Sequence, residues 1–132
     1  MIKVEKLNCI EKWKNVILSG NTNNLKVIIH ENATFYSPVV FTPQVGKKKV
    51  MYYLSNAVKT FQGRDFTYTK TIKKKNLYFA EFEAKFDTTL VNGIDLIGVK
   101  SDMIFEFKVF LRPLQGLEVV WKEMGKSLSS KI

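Results

Sequence analysis

Cysteine, histidine, proline and arginine are all scarce in this chain of 132 residues, which holds one Cys, one His and three Pro. A single thiol, Cys9, cannot close an intrachain disulfide, so nothing points to an oxidising compartment. Lys6 and Lys12 lie near Cys9 in sequence and could activate it, but a half-buried, inert thiol is the simpler expectation. One His and one Cys supply no metal-ligand spacing. There is no Gly-rich phosphate loop and no nucleophile elbow. No cofactor is expected. No stretch approaches the ~20 apolar residues of a membrane helix. The opening Met-Ile-Lys-Val-Glu-Lys has no apolar signal core behind its charges. The expectation is a cytoplasmic protein with no membrane partner.

Arginine is rare in an otherwise basic chain. The formal net charge is +9, yet of 21 basic residues only Arg64 and Arg112 are Arg. Base readout and phosphate forks favour the guanidinium over the ammonium group. The runs Lys47-Lys48-Lys49 and Lys73-Lys74-Lys75 fall at an expected helix start and an expected hairpin turn, which are solvated places. Specific nucleic-acid binding is therefore not expected. Weak polyanion attraction at low salt follows from the charge alone.

Apolar material is plentiful. Hydrophobic residues make up 45% of the chain and ten residues are Phe, enough for one domain spanning residues 1–132 to bury a sizeable core. Leu7, Ile10, Trp13, Ile17 and Leu18 recur at helical spacing, and Ser19-Gly20-Asn21 ends the run. A short second helix is expected around Leu25, Ile28 and Ile29, with His30 at its end. A brief strand from Ala33 to Tyr36 stops at Ser37-Pro38, and an extended arm leads to Val45. Gly46 precedes a third helix carrying Val50, Tyr53, Leu54, Ala57 and Phe61, and Gly63 closes it.

The period then changes to two. Phe66 to Ile72, Leu77 to Leu90, Gly93 to Val99 and Ile104 to Arg112 read as four adjacent antiparallel strands. The turns fall at 73–76, at Val91-Asn92 and at 100–103. A last helix carries Leu114, Leu117, Trp121, Met124 and Leu128. Helices followed by a strongly bent antiparallel sheet define an α+β domain.

Within the final hairpin, Asp95 lies between Ile94 and Leu96, and Arg112 follows Phe110 and Leu111. Buried charge is costly unless it is paired, hydrogen-bonded or neutralised. With Ser101-Asp102 as a two-residue turn, Asp95 opposes Lys108 and shares a face with Ile97, Glu106, Phe110 and Arg112. Two readings follow. Asp95 and Arg112 form a polar recognition pair in a pocket, or Asp95 pairs with Lys108 or Arg112 across strands and only fixes register. A pocket without a nearby cation would keep Asp95 protonated and able to donate to a ligand carbonyl. His30, at a helix end, reads as a solvated or capping residue, with a general-base role open only if it turns inward. Glu81 and Glu83 fall on the solvent or interface face of their strand. Trp13, Phe35, Tyr53, Phe61, Phe79, Phe110 and Trp121 could line an apolar interior or simply pack it.

Four local motifs in order resemble one family. They are Trp13 with Gly20-Asn21, the strand Glu31-Asn32-Ala33-Thr34-Phe35-Tyr36-Ser37-Pro38, Gly46 before the third helix, and the hairpin from Gly93-Ile94-Asp95 to Arg112-Pro113. The chain resembles the nuclear-transport-factor-2-like superfamily in its SnoaL-like and ketosteroid-isomerase-like branch, over about Glu11 to Leu114. The resemblance implies a cystatin-like cone in which a curved sheet wraps a long helix around a deep apolar cavity. It also implies a homodimer. Ketosteroid isomerases place a Tyr on the first helix, an Asp base before Pro, and a protonated Asp on the penultimate strand. Those places correspond to Trp13, Ser37 and Asp95. Trp13 cannot act as an acid and Ser37 cannot take a proton unaided, so a steroid-isomerase mechanism is not expected. Isomerase-, cyclase- or hydrolase-like chemistry with an altered site is left open. The resemblance points to a small apolar ligand, with Asp95 as orienting or catalytic group and Trp13, Phe35, Ser37, Tyr53, Phe79, Phe110 and Arg112 around it. The competing reading is a non-catalytic dimeric interaction module whose cavity is filled by its own side chains.

Overall fold

The computed structural model describes residues 8–129, with side chains to residue 126, so Leu7 and the Leu128 side chain lie outside the described residues. The chain runs α1 (Cys9–Ser19), α2 (Leu25–Ile28), β1 (Ile29–Tyr36), β2 (Gln44–Val45), α3 (Lys47–Phe61), β3 (Thr67–Lys74), β4 (Leu77–Phe86), β5 (Thr89–Lys100), β6 (Met103–Arg112) and α4 (Leu114–Ser129). One six-stranded sheet has the order β2-β1-β6-β5-β4-β3. The meander β3 to β6 is antiparallel as expected, while β1 joins β6 in parallel and makes the sheet mixed. The architecture is the expected α+β cone, with helices packed on one face of a curved sheet.

Local chemistry sets the boundaries. The Asn8 side chain accepts from the Glu11 N–H at 2.9 Å and starts α1. Gly20, with φ 78°, ends α1 in the left-handed conformation, and its N–H returns to the Val16 carbonyl. Asp102, in the β5–β6 turn, accepts from the Cys9 N–H at 3.0 Å and ties that turn to the start of α1. Ser101 and Asp102 both have φ 54°, the left-handed pair that suits a two-residue hairpin.

Four expectations are corrected. The β4–β5 turn is at residues 87–88, where Asp87 takes φ 58°, and not at Val91-Asn92. Val91 is buried, and the Asn92 amide donates across the strands to Glu81 and the Phe82 carbonyl. Ile29 and His30 belong to β1 rather than to a helix, and His30 Nδ1 accepts from the Asn32 N–H. The arm after Ser37 forms a strand only at β2. On α4 the inward stripe runs through Gly116 and Val120, so Leu114 and Trp121 are exposed. Gly116 permits that approach, since a Cβ there would stand 3.3 Å from Val91 Cγ2.

The core lies between the concave face of the sheet and α1 and α3. Ile10, Trp13, Val16 and Ile17 of α1, and Val50, Leu54, Val58 and Phe61 of α3, meet Phe35, Phe82 and Phe107 from the strands. Each fully buried Phe contributes about 2–3 kcal/mol of transfer free energy. Phe35, Phe82 and Phe107 come from three different strands, so the sheet cannot uncurl without separating them.

Candidate functional site

Period two along β5 sends Val91, Gly93, Asp95 and Ile97 inward. Asp95 is therefore buried, at 5% exposure, with Val109 of β6 beside it and Ala80 of β4 on the other side. Among the described residues no cation pairs with it. Its partner is Tyr68 of β3, whose hydroxyl donates to Asp95 Oδ2 at 2.6 Å. The Tyr68 oxygen in turn accepts from the Trp13 indole Nε1 at 2.9 Å. A chain of two hydrogen bonds thus crosses from helix to edge strand to penultimate strand. The indole can only donate, which leaves the Tyr68 proton to point at the carboxylate.

Electrostatics at this chain are set by burial. Burial pushes the Asp95 carboxyl up from 3.8 to about 7, while the Tyr68 hydrogen bond pulls it down. Burial, followed by the Asp95 charge and hydrogen bond, holds the Tyr68 phenol well above 10.0, so Tyr68 remains a neutral donor. Asp95 alone in this group changes charge near neutral pH.

Asp95 lines a small apolar cavity with Trp13, Phe35, Phe61, Phe66, Phe107 and other apolar side chains. Its volume is about 30 Å³, room for about one water-sized molecule. Phe66 precedes β3 and is only half-buried, with its ring stacked on Phe82 at 5.0 Å and edge-on to Phe61 at 5.5 Å. A larger groove of about 660 Å³ runs beside α4 past Leu90, Gln115 and Lys122, but it is open and holds neither Asp95 nor Trp13.

The structure gathers some of the expected site residues and separates others. Trp13, Phe35 and Asp95 meet at the cavity. Tyr53 stacks on Phe35 at 5.6 Å, just behind it. Ser37 accepts from the Val39 and Val40 N–H groups and shapes a turn. Phe79, Phe110 and Arg112 stand on the outer face, where Phe79 opposes Leu96, Phe110 opposes Ile94, and Arg112 donates to the Asn92 side chain at 3.3 Å. The expected pairing of Asp95 with Lys108 or Arg112 is corrected by a bulge. Gly98 opposes Glu106 while Val99 opposes Ile104, which leaves Phe105 as an extra residue. That one residue puts Lys108 and Arg112 on the face opposite Asp95. Tyr68 escaped the sequence reading, although it is the one aromatic in β3 and stands among Thr and Lys. Cys9 is buried, and burial with the adjacent Asp102 charge pushes its thiol up to about 12, which makes it inert.

This cone, with a carboxyl and a phenol hydrogen-bonded at the wall of its apolar interior, defines a recognisable class of α+β protein. No family model matches the chain, and no curated protein matches its sequence. Solved structures do match. The fold is similar to a steroid delta-isomerase from Pseudomonas aeruginosa, with TM-score 0.87 and 28% identity over 93% of this chain and 90% of that one. It is similar to an uncharacterised protein with a cystatin-like fold from Silicibacter pomeroyi, with TM-score 0.83 and 20% identity over 92% and 85% of the two chains. An NTF2-like protein from Mesorhizobium loti aligns with TM-score 0.71 and 17% identity over 80% and 88%. The chain shares the fold of these cystatin-like and NTF2-like structures.

Proposed function

We propose that the interior of the cone binds one small, mostly apolar molecule carrying an acceptor oxygen, and that Asp95 orients it. The observation that carries this reading is the Trp13–Tyr68–Asp95 hydrogen-bond chain ending at an apolar cavity. With its carboxyl raised to about 7, Asp95 is protonated in a large share of molecules at neutral pH and has an O–H to donate. A carbonyl or hydroxyl oxygen suits such a donor, and a carboxylate ligand does not. Binding widens the cavity, since ligand sites for drug-sized molecules occupy about 300–1,000 Å³. Phe66, half-buried and outside the strand ladder, is the side chain that moves first. Ser37 works as a turn residue here, so the reading is binding, and proton transfer between two carbons is not part of it.

Trp121 is 61% exposed, so Trp121→Phe leaves Trp13 as the only indole without disturbing the core. Titrating that variant with ketones, from one ring to four, is expected to shift Trp13 emission saturably. The shift should vanish in the Asp95→Ala background with the far-ultraviolet spectrum intact. Silence from every compound at about 1 mM, where even affinities of about 4 kcal/mol register, defeats the reading.

The nearly filled cavity favours a second reading, a non-catalytic module that acts as a dimer. The outer sheet face presents Ile72, Leu77, Phe79, Ile94 and Phe110, each at least 39% exposed, between Lys70, Lys108, Glu81 and Glu83. Such a face suits a second copy, because lysines and glutamates on either side of an apolar centre can meet their opposites about a two-fold axis. Phe110→Lys tests it by sedimentation velocity. In this reading Asp95→Ala lowers stability and nothing else.

A further inference from the structure

Phe41 is 99% exposed, and Val40 next to it and Val45 further along the same segment are 49% and 63% exposed. The loop that carries them is held at both ends. Ser37 Oγ accepts from the Val39 and Val40 N–H groups at 3.0 and 3.2 Å. At the far end Gln44 Nε2 donates to the Thr42 carbonyl at 3.0 Å, β2 pairs with Thr34 and Phe35, and the Gly46 N–H donates to the Ala33 carbonyl at 2.8 Å. These bonds present Phe41 to solvent rather than letting it fold back onto the core.

The next residues along the chain are Lys47, Lys48 and Lys49, the first turn of α3. Cations at a helix N-terminus oppose the macrodipole, and α3 has no acidic residue in its first turn and no side-chain cap on Gly46. Lys47 is occupied by Glu31 at 3.6 Å. Lys48 and Lys49 are exposed and form no ion pair among the described residues. A single short segment, from Val40 to Lys49, therefore combines a protruding apolar tip with free positive charge, and neither feature helps the fold.

We propose that this segment docks the protein on an anionic lipid surface, with Phe41 and Val40 entering the acyl boundary and Lys48 and Lys49 meeting the headgroup phosphates. A protrusion fits a deformable surface, whereas a protein partner would need a pocket shaped for it. No helix among the described residues is long and apolar enough to cross a membrane, so the contact is peripheral. The net charge of +9 adds attraction at a distance.

The test is co-sedimentation of the purified chain with vesicles of phosphatidylcholine alone, or with roughly 30% phosphatidylserine, at about 0.05 M salt. The wild type is expected to bind only the phosphatidylserine vesicles. Phe41→Ser should weaken binding about tenfold, from the transfer of one aromatic side chain. Each lysine near the surface is worth about fivefold, so Lys48→Glu with Lys49→Glu should weaken binding at least about 25-fold. Lys74→Glu with Lys75→Glu makes the same charge change at the β3–β4 turn and should have a far smaller effect. Phe41 and these lysines are all exposed, and a thermal melt of each variant checks that the fold is kept. Equal losses from the two lysine pairs, with none from Phe41→Ser, would mean diffuse polycation attraction and overturn the proposal. So would no binding by the wild type. So would a loss of self-association in Phe41→Ser, measured by sedimentation velocity, because Phe41 would then be covered by a second copy.

Discussion

Replacing Asp95 with Asn should change how stability depends on pH more than it changes stability itself. The folded-state carboxyl titrates at about 7, against 3.8 for an exposed one. Between those values the folded chain holds a proton that the unfolded chain has released, so stability falls as pH rises through this window. This is the reverse of the usual salt-bridged carboxylate. From about pH 5 to about pH 8, the Asp95 carboxyl alone removes about 2–3 kcal/mol from wild-type stability. Asp95 is 5% exposed, so solvent screening barely reduces that figure. Asn cannot ionise, but its amide hydrogens face an apolar cavity, which costs about 1–3 kcal/mol. The Asp95→Asn variant should therefore be behind by about 1–3 kcal/mol at about pH 5 and roughly level with the wild type at about pH 8. The assay is thermal unfolding followed by circular dichroism at several pH values. Other titrating groups are shared and cancel in the difference. The difference in Tm should change by roughly 8–12 °C across the range, in favour of the variant. Parallel curves with a constant gap would refute the reasoning, because Asp95 would then keep one charge state throughout.

Tyr68→Phe removes the hydrogen bond that lowers the Asp95 carboxyl and strands the Trp13 indole N–H. It should raise the Asp95 titration above about 7, as read by carboxyl NMR, and cost about 1–3 kcal/mol in denaturant unfolding. Gly93→Ala should be worse than its size suggests. The new Cβ would stand 2.4 Å from Phe82 Cζ and 2.6 Å from the Phe110 carbonyl oxygen, and backbone cannot yield easily. A loss of about 1–3 kcal/mol in urea unfolding is expected, and a neutral result would mean that β6 shifts freely. Cys9, with its thiol at about 12, should resist iodoacetamide at about pH 8 in the folded protein and react fully once unfolded. Fast labelling of the native chain would contradict its burial beside Asp102.

The elements were legible because their signals are local. Helical spacing in α1 and α3, period two from β3 to β6, and Gly20 and Gly46 at helix boundaries all depend on near neighbours. The parallel joining of β1 to β6 was not legible, because nothing in Ile29–Tyr36 states which strand it will meet. The β4–β5 turn was misplaced for a related reason. Val91-Asn92 looks like a break in apolar alternation, yet the turn needs a residue that tolerates positive φ, and Asp87 supplies it.

The candidate site depended on register, and register depended on two irregularities. In an unbroken β5–β6 hairpin, Asp95 would face Lys108, and the resulting chemistry would be an ion pair with a low carboxyl titration. The extra residue at Phe105 turns every later β6 side chain over. Asp95 then faces Val109 and loses its cation, and burial drives its carboxyl up to about 7 instead. A second shift, between Tyr68 and Lys70 on β3, accompanies the inward placement of the Tyr68 hydroxyl. Composition alone therefore could not decide between a structural ion pair and a titratable donor, because the same residues serve for both. The decision rests on one inserted residue in a curved strand. Deleting Phe105 should restore the unbroken register, bring Lys108 opposite Asp95 and abolish the pH window described above, if the sheet survives the change in curvature. A shortened chain that still melts cooperatively and still loses stability from about pH 5 to about pH 8 would show that the bulge does not set the site.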